Sequence, residues 1–549
     1  MTYWRKKDIN EAHPLIKEFI KDVENGHLSR REFLRHATLL GMGAGVACGI
    51  IGLPLPKISR AAGAIQRGGT YKCAMPVKSI DHPSRLAWIE GSNLVRNVCE
   101  YLAEPGFDSV TRPVLLEKWE ASADAKTWDL YLKKGIKWNN GDDFTAEDVM
   151  FTFGQWFDPQ VGSSMKGLLS YIDGMSGVEK INDHQVRLNL TSPNVTVPED
   201  LTSYPALILH RDFQGDFVKQ PLGTGPYSLE EYSEGVRAVF QRREDYWQNG
   251  DDGKPLPYLD KLVFVNLDKD AAFAALQGGQ VDDIYRPRPS DYMAAKAIPH
   301  LKTSSTETAT TYVIRMRTDQ EPWNDNRVRQ ALKLCQDRKK MLQLAGFGEG
   351  VTGMDAHAAQ CQPDVADRET PSAGPRKAKK LMEEYAKDKG ITLPVKVILE
   401  SKNDDQEPAL AQALKQMAAP VGIHIDLQLS QPSKYWEKWT EVNFGITRWS
   451  HRALATMLMT LAYAEGAKWN ETKWKDDEFN SLLTQAKNTL KMAERKEIVG
   501  KIQDIMQERG PVATPYFVNA FAIFNGKFHN IEAHPSAMMI YTSNIWKET

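Results

Sequence analysis

The sequence predicts an α/β protein with two lobes or more. Its 549 residues exceed what one simple hydrophobic core organises. From residue 68 to about residue 312 the chain is rich in short alternating strands separated by turns. Further on, a strand at 395–399, a helix at 410–417 and a strand at 423–429 are spaced as a βαβ unit. Such a unit requires a parallel sheet.

Composition is that of an ordinary globular protein. The net charge of -2, with 42% hydrophobic and 26% charged residues, is typical of that class. Near-neutral charge gives no support to a nucleic-acid partner. The 14 tryptophans are mostly expected in the core, although some are candidates for the walls of a binding cleft.

The segment 113–157 contains a strand, two turns and a helix. Alternation over 127–132 places Trp128, Leu130 and Leu132 on one face of a half-buried strand. Thr145 then begins a helix with acidic residues in its first turn. That helix buries residues at i, i+4, i+7 and i+8, namely Val149, Phe153, Trp156 and Phe157.

Two further blocks follow this segment. Residues 221–247 (PLGTGPYSLEEYSEGVRAVFQRREDYW) form a predicted hairpin, entered through a tight turn at Gly223 and Gly225. Residues 322–338 (PWNDNRVRQALKLCQDR) form a helix with Val328, Ala331 and Leu332 on its apolar face. A weaker motif, PVATPY, lies at 511–516.

The three blocks in this order closely resemble the family 5 extracellular solute-binding proteins. That family includes the dipeptide, oligopeptide and nickel receptors of ABC importers. The resemblance implies a two-lobed periplasmic-binding-protein fold, with a large mixed-sheet first lobe, a βαβ second lobe and a ligand cleft between them. It gives lobe I as 65–312 with an inserted subdomain at about 95–205, lobe II as 313–510, and a return to lobe I over 511–549.

The first 64 residues are predicted to be a twin-arginine signal peptide. Ser29, Arg30 and Arg31 begin an S-R-R-x-F-L motif, and an uncharged, glycine-containing apolar run follows over 37–55. Ala-Gly-Ala at 62–64 is a plausible cleavage site. The alternative is a retained membrane anchor, since the run is long enough to span a bilayer. A lipoprotein site at Cys48 is weaker, because Gly45 stands where such sites carry leucine.

The cysteines show no metal-binding spacing. Outside the leader there are four: Cys73, Cys99, Cys335 and Cys361. A structural disulfide and buried free thiols both remain open, and folding before export, in a reducing compartment, favours thiols. No cofactor and no metal are predicted.

The segment after a predicted strand at 444–448 is the main candidate for ligand binding. Peptide-binding relatives carry there an aspartate that pairs with the peptide's ammonium group, whereas this chain has Trp449, Ser450, His451 and Arg452. Without that acid, His451 and Arg452 suit a carboxylate or phosphate, because arginine offers a bidentate fork. The alternative is that Arg452 is a surface charge or an interlobe salt bridge.

Arg315 and Arg317 raise the same question. They alternate along one strand, where relatives have no such pair. Both are candidate ligand contacts, or else each pairs with Asp319 or Asp325. Three apolar side chains are candidate cleft walls, although side chains of this kind are more often part of the core, namely Met75, Trp449 and Trp469.

No catalytic motif is recognisable. The sequence contains no G-x-S-x-G, H-E-x-x-H, Walker or G-x-G-x-x-G helix pattern. The resemblance therefore implies a monomeric, non-enzymatic periplasmic receptor that closes by a hinge on a peptide-like or small polar or anionic solute. Its implied partners are an ABC permease and its ATPase, and the twin-arginine translocase during export. The alternatives are an exported hydrolase and a chaperone-like peptide binder.

Overall fold

The computed structural model describes residues 14–25, 33, 37, 65–107, 109–536 and 539–548. Arg30 and Arg31, residues 38–55 of the apolar run and the predicted cleavage site at 62–64 lie outside them. The chain divides into two compact units. The first runs up to Pro287 and includes Asp291–Ser305 and the chain from Phe521 onward, while the second contains Arg288–Ser290 and Thr306–Ala520.

The strands and helices are numbered here in chain order. The strands are β1 (Thr70–Ala74), β2 (Ala103–Pro105), β3 (Thr111–Pro113), β4 (Leu116–Ala121), β5 (Thr127–Leu132), β6 (Val178–Asn182), β7 (Gln185–Asn189), β8 (Tyr227–Ser233), β9 (Arg237–Arg242), β10 (Lys261–Val265), β11 (Asp283–Ile284), β12 (Leu301–Thr306), β13 (Thr311–Met316), β14 (Gly350–Thr352), β15 (Val395–Lys402), β16 (Ile423–Ser430), β17 (Phe444–Trp449), β18 (Val512–Ala513), β19 (Tyr516–Val518), β20 (Ala520–Asn525), β21 (Phe528–His529) and β22 (Trp546–Lys547). The α-helices are α1 (Pro14–Glu24), α2 (Ile89–Val95), α3 (Ala146–Phe157), α4 (Met165–Leu168), α5 (Val197–Asp200), α6 (Lys269–Gln277), α7 (Pro289–Ala295), α8 (Asn326–Leu334), α9 (Arg338–Gly346), α10 (Pro375–Lys389), α11 (Glu407–Ala418), α12 (Pro432–Trp436), α13 (Ala455–Tyr463), α14 (Asp477–Lys487) and α15 (Met492–Arg509).

The first unit is built on a mixed sheet. Seven strands lie in the order β12-β20-β11-β1-β10-β9-β8, with β1 parallel to both β10 and β11. A separate four-stranded antiparallel sheet, β4-β5-β7-β6, lies within the range predicted for the inserted subdomain. On β5 the predicted side chains Trp128, Leu130 and Leu132 are buried in alternation.

The second unit has helices on both faces of its sheet. The strand order is β14-β19-β13-β17-β15-β16, and β15, β16 and β17 are parallel. One core cluster includes residues of β13 together with α8, α10 and α11. The other includes β13 and β17 residues with α13, α14 and α15. The predicted βαβ unit is confirmed, since α11 connects the parallel strands β15 and β16.

The two positions at which the chain passes between the units differ from those expected from the sequence. The structure places them at Ser305/Thr306 and at Ala520/Phe521, where 312/313 and 510/511 were expected. At the second position the reason is strand pairing. β18 pairs with β13, and β19 pairs with β13 and β14, so residues 512–518 belong to the sheet of the second unit.

The predicted helix at Thr145 is confirmed, and its cap reaches into the core. Thr145 Oγ1 accepts the Glu147 N–H, and Asp148 Oδ2 accepts the Thr145 N–H at 2.9 Å. Asp148 is fully buried, and its carboxylate also accepts the Trp138 indole N–H. One side chain therefore begins the helix and fixes the preceding turn.

The hairpin β8–β9 is also confirmed, but Gly223 and Gly225, which precede it, allow the chain to pack closely against the backbone of Val98. The Gly225 N–H donates to the Val98 carbonyl at 2.7 Å, and a Cβ on Gly223 would lie 1.8 Å from that oxygen. Arg243, buried beside them, donates to the carbonyls of Gly223 and Gly225 at 3.1 Å each. The GTGP segment is thus clamped between a backbone carbonyl and an arginine.

Side chains of helix α8, which lies in the third block, cap the C-terminal end of helix α15. Its apolar residues are buried as predicted. On its other side Arg329, Gln330 and Lys333 donate to carbonyls in the last turn of α15 or directly after it, among them Met506 and Arg509. The last carbonyls of a helix have no partner within the helix, so these side chains satisfy them.

Lys333 makes the stability of the second unit dependent on pH. It is fully buried, and this burial lowers its pKa from 10.5 to about 7. Between these values the unfolded chain binds more protons than the folded one, so the free energy of unfolding rises with pH. We expect the wild type to gain stability relative to Lys333→Met between about pH 7 and about pH 10, by up to about 1.4 kcal/mol per pH unit.

Urea unfolding of both proteins at several pH values measures this difference. Lys387→Met, at an exposed site on α10, is the control for removing a lysine that is not buried. Parallel stability curves for the wild type and Lys333→Met would contradict the prediction.

The N-terminal helix and the cysteines complete the description. The segment before the twin-arginine motif contains helix α1, with Ile16 and Phe19 buried. Among the described residues, no helix has the length and apolar character that crossing a membrane requires. The four described cysteines, Cys73, Cys99, Cys335 and Cys361, are free thiols, which matches the second of the two alternatives.

Candidate functional site

The candidate site lies at the edge of the second unit's sheet where its parallel strands end. β15 ends at Lys402, β16 at Ser430 and β17 at Trp449. In open α/β sheets, ligands bind beyond the carboxyl ends of parallel strands, because the connecting loops gather there. The predicted segment Trp449–Arg452 begins at this edge.

A buried carboxylate organises the site. Glu471, 2% exposed, accepts the Trp449 indole N–H at 3.0 Å and the Thr447 hydroxyl at 2.7 Å. Glu471 also forms an ion pair with the Arg315 guanidinium, whose Nε lies 2.6 Å from Glu471 Oε2. Burial raises the pKa of Glu471, while Arg315 and the two donors act in the opposite direction. The carboxylate therefore fixes the orientation of the Trp449 indole.

Arg315 is a structural residue, which corrects its predicted role as a ligand contact. The side chain is 0% exposed. Besides pairing with Glu471, Nη1 donates to the Val442 carbonyl at 2.7 Å, and Nη2 donates to the Trp439 carbonyl at 2.5 Å. All three guanidinium nitrogens are engaged, so the residue has no donor to offer a solute.

Arg317 forms ion pairs, which was the alternative to a ligand contact. Its Nε and Nη2 bind Asp319 in bidentate fashion at 3.0 and 2.7 Å, and Nη1 binds Glu441 at 3.0 Å. The neighbouring candidate Asp325 instead pairs with Arg327. Arg317 also lies at the opposite end of β17, next to Asn443. It is therefore remote along the strand from Trp449.

Four indoles lie in a row beside Glu471, here called the tryptophan row: Trp436, Trp439, Trp449 and Trp469. Successive ring centroids are 5.5, 6.5 and 6.0 Å apart in edge-to-face contacts. Trp449 is 7% exposed, whereas Trp436 and Trp469 are 42% and 45% exposed. Exposed indoles at both ends offer flat apolar surface to a solute.

His451 and Arg452 are held by the backbone around them. His451 is 5% exposed, and its Nδ1 accepts the Ala309 N–H at 3.0 Å, so the ring proton is on Nε2 in the neutral form. Arg452 is half-buried and donates from Nη1 to the His451 carbonyl at 2.9 Å. Gln362 Nε2 donates to the Arg452 carbonyl at 2.9 Å. The segment is thus rigidly placed at the strand end.

Met75 is a core residue of the first unit. It is 0% exposed, and its N–H donates to the Val265 carbonyl at 3.0 Å. This corrects its prediction as a cleft wall. The structure thus brings Trp449, His451, Arg452 and Trp469 together within the second unit and gives Met75, Arg315 and Arg317 other surroundings.

Sequence reasoning missed three charged groups at the same edge. Arg448 lies one residue before Trp449, and Asp405 lies in the loop between β15 and α11. Lys402 also ends β15 there, buried against Glu407 and lying over the Trp436 ring at 4.4 Å. Arg448 ended a predicted strand, and that position at a carboxyl end was the available signal. No feature of the sequence pointed to Asp405.

One group in the first unit has the composition of a metal site. Asp142, His210 and Asp212 bring their ligand atoms within 4.8 Å of one another. His210 Nδ1 accepts the Asp212 N–H at 3.1 Å, and Nε2 lies 3.1 Å from Asp142 Oδ2. Both ring nitrogens are therefore already hydrogen-bonded, which explains the cluster without an ion.

Comparison with known proteins gives a consistent result. The model of the bacterial extracellular solute-binding proteins, family 5 Middle, matches residues 111–470. The chain is 24% identical to the dipeptide-binding protein of Escherichia coli K12 over 436 residues, 73% of this chain and 79% of the relative.

Solved structures show the same fold. The ABC transporter substrate-binding protein CtaP from Listeria monocytogenes is 20% identical, with a TM-score of 0.75, and the match covers 88% of this chain and 100% of CtaP. AgaA from A. tumefaciens R10, solved with agropinic acid, is 22% identical, with a TM-score of 0.72 and coverage of 88% and 99%. At these identities the likeness concerns the fold, which is the predicted two-lobed periplasmic-binding-protein class.

Proposed function

The chain belongs to the bacterial extracellular solute-binding proteins of family 5, and from this premise we propose that it is the solute receptor of an ABC importer. It works outside the cytoplasm, binds a small polar, anionic or peptide-like solute and delivers it to a membrane permease with an ATPase. The observation that carries the proposal is the rigid Trp449–Arg452 segment at the carboxyl edge of a parallel sheet, flanked by exposed indoles. The predicted hinged closure of two lobes stays a prediction.

Charge at this edge supports an anionic group on the solute. Arg452 supplies a guanidinium next to the buried ring of His451, and Arg448 supplies a second one at the end of β17. Guanidinium groups bind carboxylates in bidentate fashion. Relatives solved with agropinic acid and with a nonapeptide bind solutes that carry carboxyl groups.

Binding without turnover is the second part of the proposal. His451 uses Nδ1 to accept a backbone N–H, so that nitrogen is not available as a general base. The buried acid Glu471 is committed to Arg315, Thr447 and Trp449. The competing proposals, an exported hydrolase and a chaperone-like peptide binder, differ in predicting turnover or non-stoichiometric binding.

Export by the twin-arginine route is the third part. The motif with Arg30 and Arg31 supports it, as do the moderately hydrophobic run and the small-residue site after it. That route carries proteins that have already folded in a reducing compartment, which agrees with free thiols at the four described cysteines.

A thermal-shift screen of the purified protein tests the receptor function. The panel contains short peptides, agropinic acid, sugar acids, neutral sugars and nickel–histidine. A solute that binds only the native state raises Tm by mass action. At a concentration of 100 times Kd it raises the free energy of unfolding by about 2.7 kcal/mol. We expect anionic solutes to raise Tm. The Arg452→Ala substitution should lower the affinity for these solutes about tenfold or more.

The control is Arg317→Ala, which removes an arginine already paired with Asp319 and Glu441. It should leave solute affinity unchanged. Turnover of any bound solute would favour the hydrolase, and binding of unfolded chains without a preferred small solute would favour the chaperone.

A further inference from the structure

Strand β16 forms one outer edge of the second unit's sheet. Within the described chain it pairs with β15 and with no other strand. The pairing is regular over the whole strand, from Ile423 to Ser430. Leu429, near the end of the strand, is 40% exposed. A long and regular edge strand is a template on which a further strand can pair.

The other outer strands of the sheets with four or more strands carry features that interrupt pairing. β4, β6 and β8 each contain a register shift, at Lys118, Lys180 and Glu231 respectively. β14 has three residues, and β12 carries the exposed Lys302. Short strands, bulges and lysines are the devices by which proteins block an edge. β16, with the sequence IHIDLQLS, has no lysine, no proline and no register shift.

Half of the backbone groups of β16 face away from β15. The carbonyls of Gly422 and Ser430 accept N–H groups of β15 or of the residue directly after it, at 2.9 and 2.8 Å. The even-numbered residues of β16 therefore bond to β15, because the N–H and C=O groups of a strand alternate between its two sides. Four residues direct these groups outward: Ile423, Ile425, Leu427 and Leu429. No strand of the described chain lies on that side.

The two faces of β16 differ in chemistry. Ile423 and Ile425 belong to the apolar core of the second unit. On the opposite face the side chains of His424 and Asp426 are 44% and 61% exposed, with His424 Nε2 3.2 Å from Asp426 Oδ1. An imidazole and a carboxylate thus stand two residues apart beside the free edge. An imidazole N–H can donate to a carboxylate, so this pair is complementary to a reversed copy of itself.

Charge selects one register for such a copy. An antiparallel strand related by a twofold axis must place outward-facing residues opposite each other. If the axis passes through Asp426, two carboxylates lie opposite each other in a pair that is not hydrogen-bonded, where side chains approach most closely and like charges repel. If the axis passes through Ile425, each His424 lies opposite an Asp426 instead, and Ile423 lies opposite Leu427.

We propose that the protein forms a twofold-symmetric dimer through β16, with the axis at Ile425. Outward N–H and C=O groups of Ile423, Ile425 and Leu427 bond across the axis, and His424 pairs with Asp426 of the second copy. One strand pair is a small interface, so the dimer is weak and depends on concentration. This state differs from the monomer that the family resemblance implies, and it does not depend on which solute is bound.

Sedimentation equilibrium over a concentration series measures the dimer, first in the wild type and in Leu427→Pro. Proline removes the outward N–H of Leu427 and leaves the bonds to β15 in place, because that N–H does not face β15. We expect Leu427→Pro to weaken dimerisation about tenfold or more, since both copies lose a hydrogen bond. Leu427→Ala trims the side chain but keeps the N–H. It is the matched control and should still dimerise.

Two substitutions on the exposed face test the register. His424→Asp should weaken dimerisation because it places carboxylates opposite each other, and Asp426→Lys should weaken it because it removes the carboxylate that His424 meets. An equimolar mixture of the two variants places opposite charges together at both positions and should form a heterodimer at least as tight as the wild-type dimer. Both side chains are more than a third exposed, so both variants should fold.

Three results would overturn the inference. The first is a wild type that remains monomeric up to its highest soluble concentration. The second is a dimer that Leu427→Pro leaves unchanged, which would lie on another surface. The third is a monomeric wild type whose complex with its membrane permease is weakened by Leu427→Pro, which would assign the edge to the permease. A dimer weakened by both single charge variants but not recovered in their mixture would exclude the proposed register.

Discussion

Replacing Glu471 with alanine is expected to lower the free energy of unfolding of the second unit by about 3–5 kcal/mol. The substitution removes the acid 2.6 Å from Arg315 Nε and leaves a guanidinium with 0% exposure without its counter-charge. The Trp449 indole and the Thr447 hydroxyl lose their acceptor at the same time. A lost partner for a buried charge costs far more than the pair contributes, because desolvation of the remaining charge is no longer offset.

Urea unfolding followed by tryptophan fluorescence measures the loss, since Trp449 of the tryptophan row donates to the Glu471 carboxylate. The double replacement Arg315→Met with Glu471→Leu removes both charges and should recover most of the stability. Arg317→Gln, which breaks a more exposed pair, should cost no more than about 1 kcal/mol. A Glu471→Ala loss as small as that of Arg317→Gln would show that the buried pair is not organising this region.

Replacing Gly223 with alanine is expected to destabilise the first unit by about 3 kcal/mol or more. The added Cβ would lie 1.8 Å from the Val98 carbonyl oxygen and 2.3 Å from its carbon, and both are backbone atoms that no rotamer change can move. The backbone must shift, which breaks the Gly225 N–H bond to the same carbonyl and disturbs the Arg243 clamp.

Gly154→Ala is the matched control for this clash. Gly154 lies inside α3, and a Cβ there would meet nothing within 4 Å. Alanine is the better helix former, so this variant should be more stable than the wild type by about 0.5–1 kcal/mol. Thermal unfolding of the two variants beside the wild type gives the comparison. A Gly223→Ala protein as stable as Gly154→Ala would disprove the close approach.

Local patterns predicted several of the elements. Alternation along β5, the capping signal at Thr145 and the βαβ spacing of β15, α11 and β16 are short-range properties, and each is present in the structure. Such patterns depend on neighbours within a few residues. The three blocks were likewise sufficient to indicate the family.

Roles that depend on distant neighbours were not predictable in this way. Arg315 and Arg317 alternate on one strand and look equivalent in the sequence. Only the fold brings Glu471, more than a hundred positions away, against the first, and leaves the second at the surface with Asp319. Met75 looked like a candidate wall because the sequence does not say how deeply β1 is covered.

The sequence by itself determined the α/β class, the elements of the three blocks and of the βαβ unit, and the family, because those follow from local periodicity and from short motifs. Only the tertiary structure decided which charged groups neutralise each other, as Arg315 and Glu471 do, and which buried donors, such as Arg448 Nε, make no hydrogen bond. The physical reason is that the state of a buried charge depends on partners supplied by distant parts of the chain, whose separation in sequence gives no measure of their distance in space.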